Sequence, residues 1–219
     1  MIRDFALIDV TYLVLAARWT LLLAAIAFLG GGLVGLLVTL LRVAPLAPLR
    51  WIASIWIFVV QGTPLLAWLF LFYFGLALVG FRISTWLAVT VAYSIYASAF
   101  LGEIWRGALQ SIPRQQWEAG SALALTFVEQ LRYVIIPQAV RVAIPPTVGF
   151  LVQLIKNTSL AAVIGFVELT REGQLTNAAT FQPFTVFMVV AGIYFAICFP
   201  LTLWSRRLER TLHVAGRLS

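Results

Sequence analysis

Reactive side chains are nearly absent from this chain. It has one cysteine, Cys198, and one histidine, His213, so neither an intrachain disulfide nor a cysteine-based metal cluster is available. The sole lysine, Lys156, is followed by Asn157 in an apolar run, and no Gly-xxxx-Gly-Lys-Ser/Thr phosphate loop exists. The chain is therefore not the ATPase of any system it serves. A paired His/Glu helix motif and a nucleophile elbow are also missing, which leaves catalysis by this chain without support. Charge is scarce: 11% of residues are Asp, Glu, Lys or Arg, against roughly 25% in soluble proteins. There is no low-complexity tract and no fixed-period repeat. The N-terminal segment carries Asp4 and Asp9 rather than a basic start with a small-residue cleavage site, so no cleaved signal peptide is expected.

What is abundant is apolar. With 62% hydrophobic residues in 219, the chain reads as an all-α integral membrane protein, a single transmembrane domain over 1–219. The net charge of +7 fits membrane orientation, because the basic residues are spread over short loops beside apolar runs; nucleic acid is not an expected partner.

Five spans follow from the uncharged runs, each against about 20 residues needed to cross the hydrocarbon. Residues 1–17 are expected as a short surface helix. Residues 19–41, bracketed by Arg18 and Arg42, form span one, where Gly31 and Gly35 have the spacing that lets helix backbones touch, within the chain or across a dimer. Residues 51–80 are too many for one straight crossing and contain Gln61-Gly62-Thr63-Pro64. Pro64 cannot donate to the helical ladder, so a bend or unwound turn is expected there. Residues 83–105 form span three, with Ser94 and Ser98 on one face and Glu103 and Arg106 at pairing distance. Span four, 142–167, starts at Pro145-Pro146 and carries Lys156 about 22 Å beyond Arg141 at 1.5 Å per residue. Gln153, Lys156 and Asn157 fall at i, i+3 and i+4, one polar face in a membrane helix. Two roles stay open for Lys156: lining a translocation path, or satisfying helix-end carbonyls or Glu103. Residues 168–182 are a polar external segment, and 184–204 form span five.

Between spans three and four lies the one long polar interruption, 111–137. Pro113 suits a first helical turn, and Thr126 followed by Glu129 is a capping-box pattern, so two short helices are expected, the second ending at Pro137. An ordered helical pair carrying Arg114, Glu118, Glu129 and Arg132 has the character of a docking surface. Arg42 and Arg50 after span one, Arg106, Arg114, Arg132 and Arg141 around the interruption, and Arg206, Arg207, Arg210 and Arg217 in the tail outnumber Arg3, Arg18, Arg82 and Arg171 opposite. The positive-inside rule thus puts the N-terminus outside and the interruption and C-terminus in the cytoplasm.

Glu118-Ala119-Gly120, with Val134, Ile136 and Pro137 beyond it, resembles the cytoplasmic "EAA" coupling loop of permease subunits of ATP-binding-cassette importers. Ser111-Ile-Pro, Gln116-Trp-Glu, Pro137-Gln-Ala-Val-Arg141, Pro145-Pro146 and Lys156-Asn-Thr-Ser-Leu160 narrow the resemblance to the polar amino acid uptake family, over nearly the whole chain. The resemblance implies a type I importer permease fold, with Arg114, Trp117, Glu118, Ala119, Gly120, Ala124 and Pro137 coupling to an ATPase, and Gln61, Thr63, Pro64, Gln153, Lys156 and Asn157 along a substrate path or gate. Glu118 would offer a charge contact, and Ala119 and Gly120 close packing. It further implies a dimeric ATPase carrying ATP and Mg, no cofactor in this chain, a second permease subunit (identical or homologous), an extracytoplasmic amino acid binding protein, and a bacterial inner-membrane location. The chain departs from the family pattern at Gly120 (usually Ala), Ala124 (usually Gly), Gln61 (usually Arg) and Asn157 (usually Asp). The competing readings are an ion-coupled amino acid carrier, resting on Lys156 and Glu103 as the deeper charges, and a structural subunit of a membrane complex.

Overall fold

A computed structural model describes residues 3–215, with side chains to residue 211; His213 and Arg217 lie outside the described side chains. The chain is organised as α1 (Leu7–Val43), α2 (Ala47–Gly62), α3 (Leu65–Leu78), α4 (Thr85–Gln110), α5 (Arg114–Ala122), α6 (Phe127–Ile164), α7 (Leu169–Thr180) and α8 (Pro183–Ala215). Helices α1, α4, α6 and α8 are each long and apolar enough to cross a membrane, and α2 with α3 meets the same length and composition as a bent pair.

The expected surface helix at the N-terminus does not exist as a separate element. Helix α1 runs without interruption from Leu7, since no proline or glycine separates the segment from the span. Asp9 sits in the first turn. It is 1% exposed, accepts the Ala6 N–H at 2.9 Å and pairs with Arg3. A carboxylate is favourable at a helix N-terminus. The Arg3 N–H also reaches the Ala179 carbonyl, so the N-terminus lies against the end of α7.

Helix α1 packs on α4 through small residues. A Cβ at Gly31 would lie 2.4 Å from Ala97 Cβ, and one at Gly35 would lie 3.0 Å from the Ser98 carbonyl. These glycines therefore serve packing inside the chain. Thr39 Oγ1 crosses the same seam to the Gly102 carbonyl at 3.1 Å. Ser98 is fully buried and accepts the Trp56 indole N–H at 3.0 Å, joining α2 to α4 rather than lining a path. Above this seam Leu23, Leu69, Tyr93, Leu101 and Leu154 form the central core.

The break in the second span falls where Thr63-Pro64 interrupts the ladder, and α2 and α3 meet at 97°. So sharp a turn follows from the missing proline donor and from Thr63 Oγ1 turning back to the Val59 carbonyl at 2.8 Å.

Pro137 does not end its helix. Helix α6 passes through it, beginning at the Thr126 cap, widening to a π turn over Gln130–Ile135, and continuing as α-helix over Ile136–Asn157. A proline in a regular helix clashes with the carbonyl four residues back; the wider i→i+5 turn immediately before Pro137 relieves that conflict. Pro145 and Pro146 likewise sit within the helix, and Ser205 Oγ donates to the Pro145 carbonyl at 2.9 Å, tying α6 to α8. A 3-10 stretch, Thr158–Ile164, closes α6 at Gly165, whose φ of 81° needs no Cβ. The polar segment 168–182 is itself mostly helix, α7, and α8 runs on past residue 204 through Arg206, Arg207 and Arg210.

Candidate functional sites

Helix α5 projects from the end of the bundle opposite the N-terminus, and its two faces differ. The inner face is tied to the start of α6. Ile112, Ile135 and Ala139 are buried together with Trp117 against them, and Trp117 stacks on Phe127 with ring centroids 5.7 Å apart. Gly120 is buried on this face: a Cβ there would lie 2.8 Å from Gln130 Cγ. Gln130, 7% exposed, donates to Ser121 Oγ at 3.1 Å and to the Leu125 carbonyl at 2.9 Å. The small residue at 120 therefore admits Gln130 of the same chain, and Gly120 lies on the inner face of the loop. Trp117 is likewise turned inward.

The outer face carries Arg114, Glu118 and Ala119, all exposed, with Leu123, Phe127 and Val128 exposed beside them. Ala124 makes the joint. Its φ is 55°, its N–H reaches the Ser121 carbonyl at 2.9 Å, and the Leu125 N–H reaches the Gly120 carbonyl at 3.1 Å. These two bonds are the Schellman pattern, with alanine where glycine is favoured. The joint keeps its geometry despite the substitution, at the expense of left-handed strain. The capping box forms as expected: Glu129 accepts the Thr126 N–H at 2.8 Å and donates its own N–H to Thr126 Oγ1. Pro137 is exposed on α6 beyond the π turn.

The second candidate site is a groove of about 450 Å³ between the end of α6 and α8, lined by Lys156, Ser159, Tyr194, Phe195, Cys198 and Thr202 among others. Of the six residues expected along a path, the structure brings only Lys156 to this groove. Gln153 is exposed on the same helix. The Asn157 backbone carbonyl accepts the Tyr93 hydroxyl of α4 at 2.7 Å, and the Asn157 side chain meets Tyr96 of the same helix. Gln61, Thr63 and Pro64 stand at the α2–α3 break, where Gln61 donates to the Ala99 carbonyl at 3.3 Å. Lys156 makes no ion pair among the described residues, and Glu103 is committed to Arg106.

Glu168 opens the polar segment 168–182, and its burial and partners were not legible in the sequence. It caps α7, is fully buried, and binds the hydroxyls of Tyr194 (2.8 Å) and Thr20 (3.3 Å). Burial pushes its carboxyl above the ordinary carboxylate range, against the opposing pull of the Thr170 and Arg171 N–H groups and of the Tyr194 and Thr20 hydroxyls. Glutamate is not a favoured cap, so local pattern offered no signal.

Four helices long and apolar enough to cross a membrane, a further helix pair bent by 97°, and an exposed helical loop between α4 and α6 are the architecture of a multi-pass membrane protein. The family model described as "Binding-protein-dependent transport system inner membrane component" matches residues 31–214, and the chain belongs to that family. It is a multi-pass inner-membrane permease subunit of an ATP-binding-cassette importer, a type that works with a separate ATPase subunit. It is similar to the probable amino-acid ABC transporter permease protein YckA of Bacillus subtilis (strain 168), 35% identical over 199 residues that cover 91% of this chain and 88% of that one. The glutamine transport system permease protein GlnP of Escherichia coli (strain K12) is 36% identical over 204 residues, covering 92% and 93%. Among solved structures, an amino acid ABC transporter crystallised with histidines matches with a TM-score of 0.88 and 33% identity, over 96% of this chain and all of that one.

Proposed function

We propose that this subunit carries a polar amino acid across the inner membrane by alternating access, driven by a dimeric ATPase seated on the outer face of α5. The observation that carries this reading is the continuity of α6. One helix begins at Phe127, packed under the docking loop, and ends beside Lys156 at the groove. A displacement of α5 is therefore transmitted along α6 to the groove, provided the partner binds differently in its two states. Arg114, Glu118 and Ala119 make the contact; Trp117, Gly120 and Ala124 hold the contact face rigid; Pro137 lies where the lever begins. ATP and Mg reside on the partner, and this chain supplies no cofactor.

In this reading the N-terminus and α7 face outward, where an amino acid binding protein delivers substrate, and α5 and the C-terminus face the cytoplasm. A second permease copy or homologue completes the pathway, with Gln61, Thr63 and Pro64 at the α2–α3 break acting as gate. At the groove, Lys156 is the charged group, and no Asp or Glu is among the lining residues. That electrostatics suits the carboxylate of a zwitterion and disfavours a cationic side chain. Glutamine transport by a relative of matching length supports a neutral polar substrate.

Vesicles holding the assembled transporter test the reading. Lys156→Met is expected to abolish uptake with assembly intact, and Glu118→Lys to lower ATPase association or coupling with insertion normal. Uptake that continues after ATPase inactivation and collapses with the ion gradient would return the carrier reading.

A further inference from the structure

Glu168 is a carboxylate with no exposed surface that sits among three helices. Its Oε1 accepts the Arg171 N–H of α7 at 2.9 Å. Its Oε2 accepts the Tyr194 hydroxyl of α8 at 2.8 Å and the Thr20 hydroxyl of α1 at 3.3 Å. Thr20 Oγ1 in turn accepts the Leu169 N–H at 3.1 Å, and Tyr194 shares a hydrogen with Thr170 Oγ1 at 3.0 Å. The first turn of α7 is thus held by this one side chain and the two hydroxyls that meet it.

No cation faces it. From α1 the facing group is Thr20, since Arg18 stacks over Trp19. From α4 it is Tyr93, whose hydroxyl is bound to the Asn157 carbonyl. From α6 they are Thr158 and, on the groove side of Tyr194, Lys156, which forms no ion pair among the described residues. On α7 itself Arg171 binds Gln174 and Glu172 lies in the first turn. A buried ionised carboxylate with neutral donors alone is costly. A protonated one is accommodated: its hydrogen goes to Tyr194 Oη, whose own hydrogen turns to Thr170 Oγ1.

We propose that Glu168 is a proton-dependent latch that holds α7 against α1 and α8, closed when the carboxyl is protonated and released when it ionises and moves into water. The sign follows from linkage. The seated form binds the proton more tightly than an exposed carboxylate does, because burial raises its affinity for the proton. Closure therefore takes up a proton, and opening becomes easier as pH rises. The inference is independent of the substrate.

The test is amide hydrogen exchange at Leu169, Thr170 and Arg171 in the assembled transporter in lipid nanodiscs, as a function of pH and corrected for intrinsic exchange. In the wild type, opening should rise toward tenfold per pH unit above an exposed carboxylate's value of about 4.3, and level off above the buried value. Glu168→Gln should be flat. Thr20→Val deletes a donor to the ionised form and should move the upper break to higher pH, and Tyr194→Phe, which deletes a donor to that form together with the acceptor of the protonated one, should change the closed-state stability and displace the profile. A wild-type profile as flat as that of Glu168→Gln overturns the latch. If Glu168→Gln does not assemble, the two hydroxyl deletions decide, and profiles superimposable on the wild type overturn it as well.

Discussion

Substituting Gly120 by alanine should weaken α5, although alanine is the better helix former. The added Cβ would lie 2.8 Å from Gln130 Cγ and 3.1 Å from its Cδ. Gln130 is buried and holds two hydrogen bonds, to Ser121 Oγ and to the Leu125 carbonyl, so it has no free direction in which to retreat. Overpacking of this kind costs about 1–3 kcal/mol, and a displaced Gln130 forfeits bonds worth about 1 kcal/mol each. Against this, alanine gains about 1 kcal/mol of helix propensity over glycine. The net is about 1–2 kcal/mol of destabilisation, or roughly 5- to 30-fold more frequent local opening of α5. Hydrogen exchange of the 114–125 amides in nanodiscs reads this directly. Gln130→Ala in the same chain removes the clash, so the double variant should lie well above additivity, with a coupling energy of about 1 kcal/mol or more. Unchanged or increased protection in Gly120→Ala, or strict additivity with Gln130→Ala, would refute the view that residue 120 is small for Gln130.

Ala124→Gly should act in the opposite direction, because it relieves a non-glycine φ of 55° worth about 1–2 kcal/mol, partly offset by the entropy of a freer unfolded glycine; the joint should resist limited proteolysis longer. Gly31→Ala places a Cβ 2.4 Å from Ala97 Cβ and 2.8 Å from the Ser94 carbonyl, so α1 must move off α4, and a loss of about 1–3 kcal/mol should appear as a lower midpoint in detergent thermal-aggregation assays. The raised Glu168 carboxyl contributes stability that is complete below the ordinary carboxylate value and is lost as pH rises through its folded-state value; the pH dependence of the melting midpoint should flatten in Glu168→Gln.

Much of the fold was legible because lipid imposes a simple rule: uncharged runs of sufficient length become helices. The break at Thr63-Pro64 and the Thr126–Glu129 cap followed from local chemistry, and the Glu103–Arg106 pair from helical spacing. The errors came where distant groups intervened. Pro137 was read as a terminator, and a π turn upstream absorbs it. The surface helix expected over 1–17 is continuous with span one, and Arg3 with the Ala6 N–H makes Asp9 a first-turn carboxylate. The polar face Gln153-Lys156-Asn157 is correct as a helical periodicity, but its members do not share one environment, because α4 claims Asn157 while Lys156 lines the groove beside α8.

Composition and local pattern by themselves determined that this chain lives in a membrane, that it is built of long apolar helices, that the ladder breaks at Thr63-Pro64, and that a helical loop stands apart from them. These are properties of short segments: backbone satisfaction in lipid, proline geometry and capping act over a few residues. Only the tertiary structure decided which face of α5 is free, since Gly120 is claimed by a glutamine ten positions away. It alone showed Glu168 to be a buried junction of three helices, because Thr20 lies 148 residues away in sequence. Burial and partnership are set by what other segments bring to a side chain, and no local pattern contains that information.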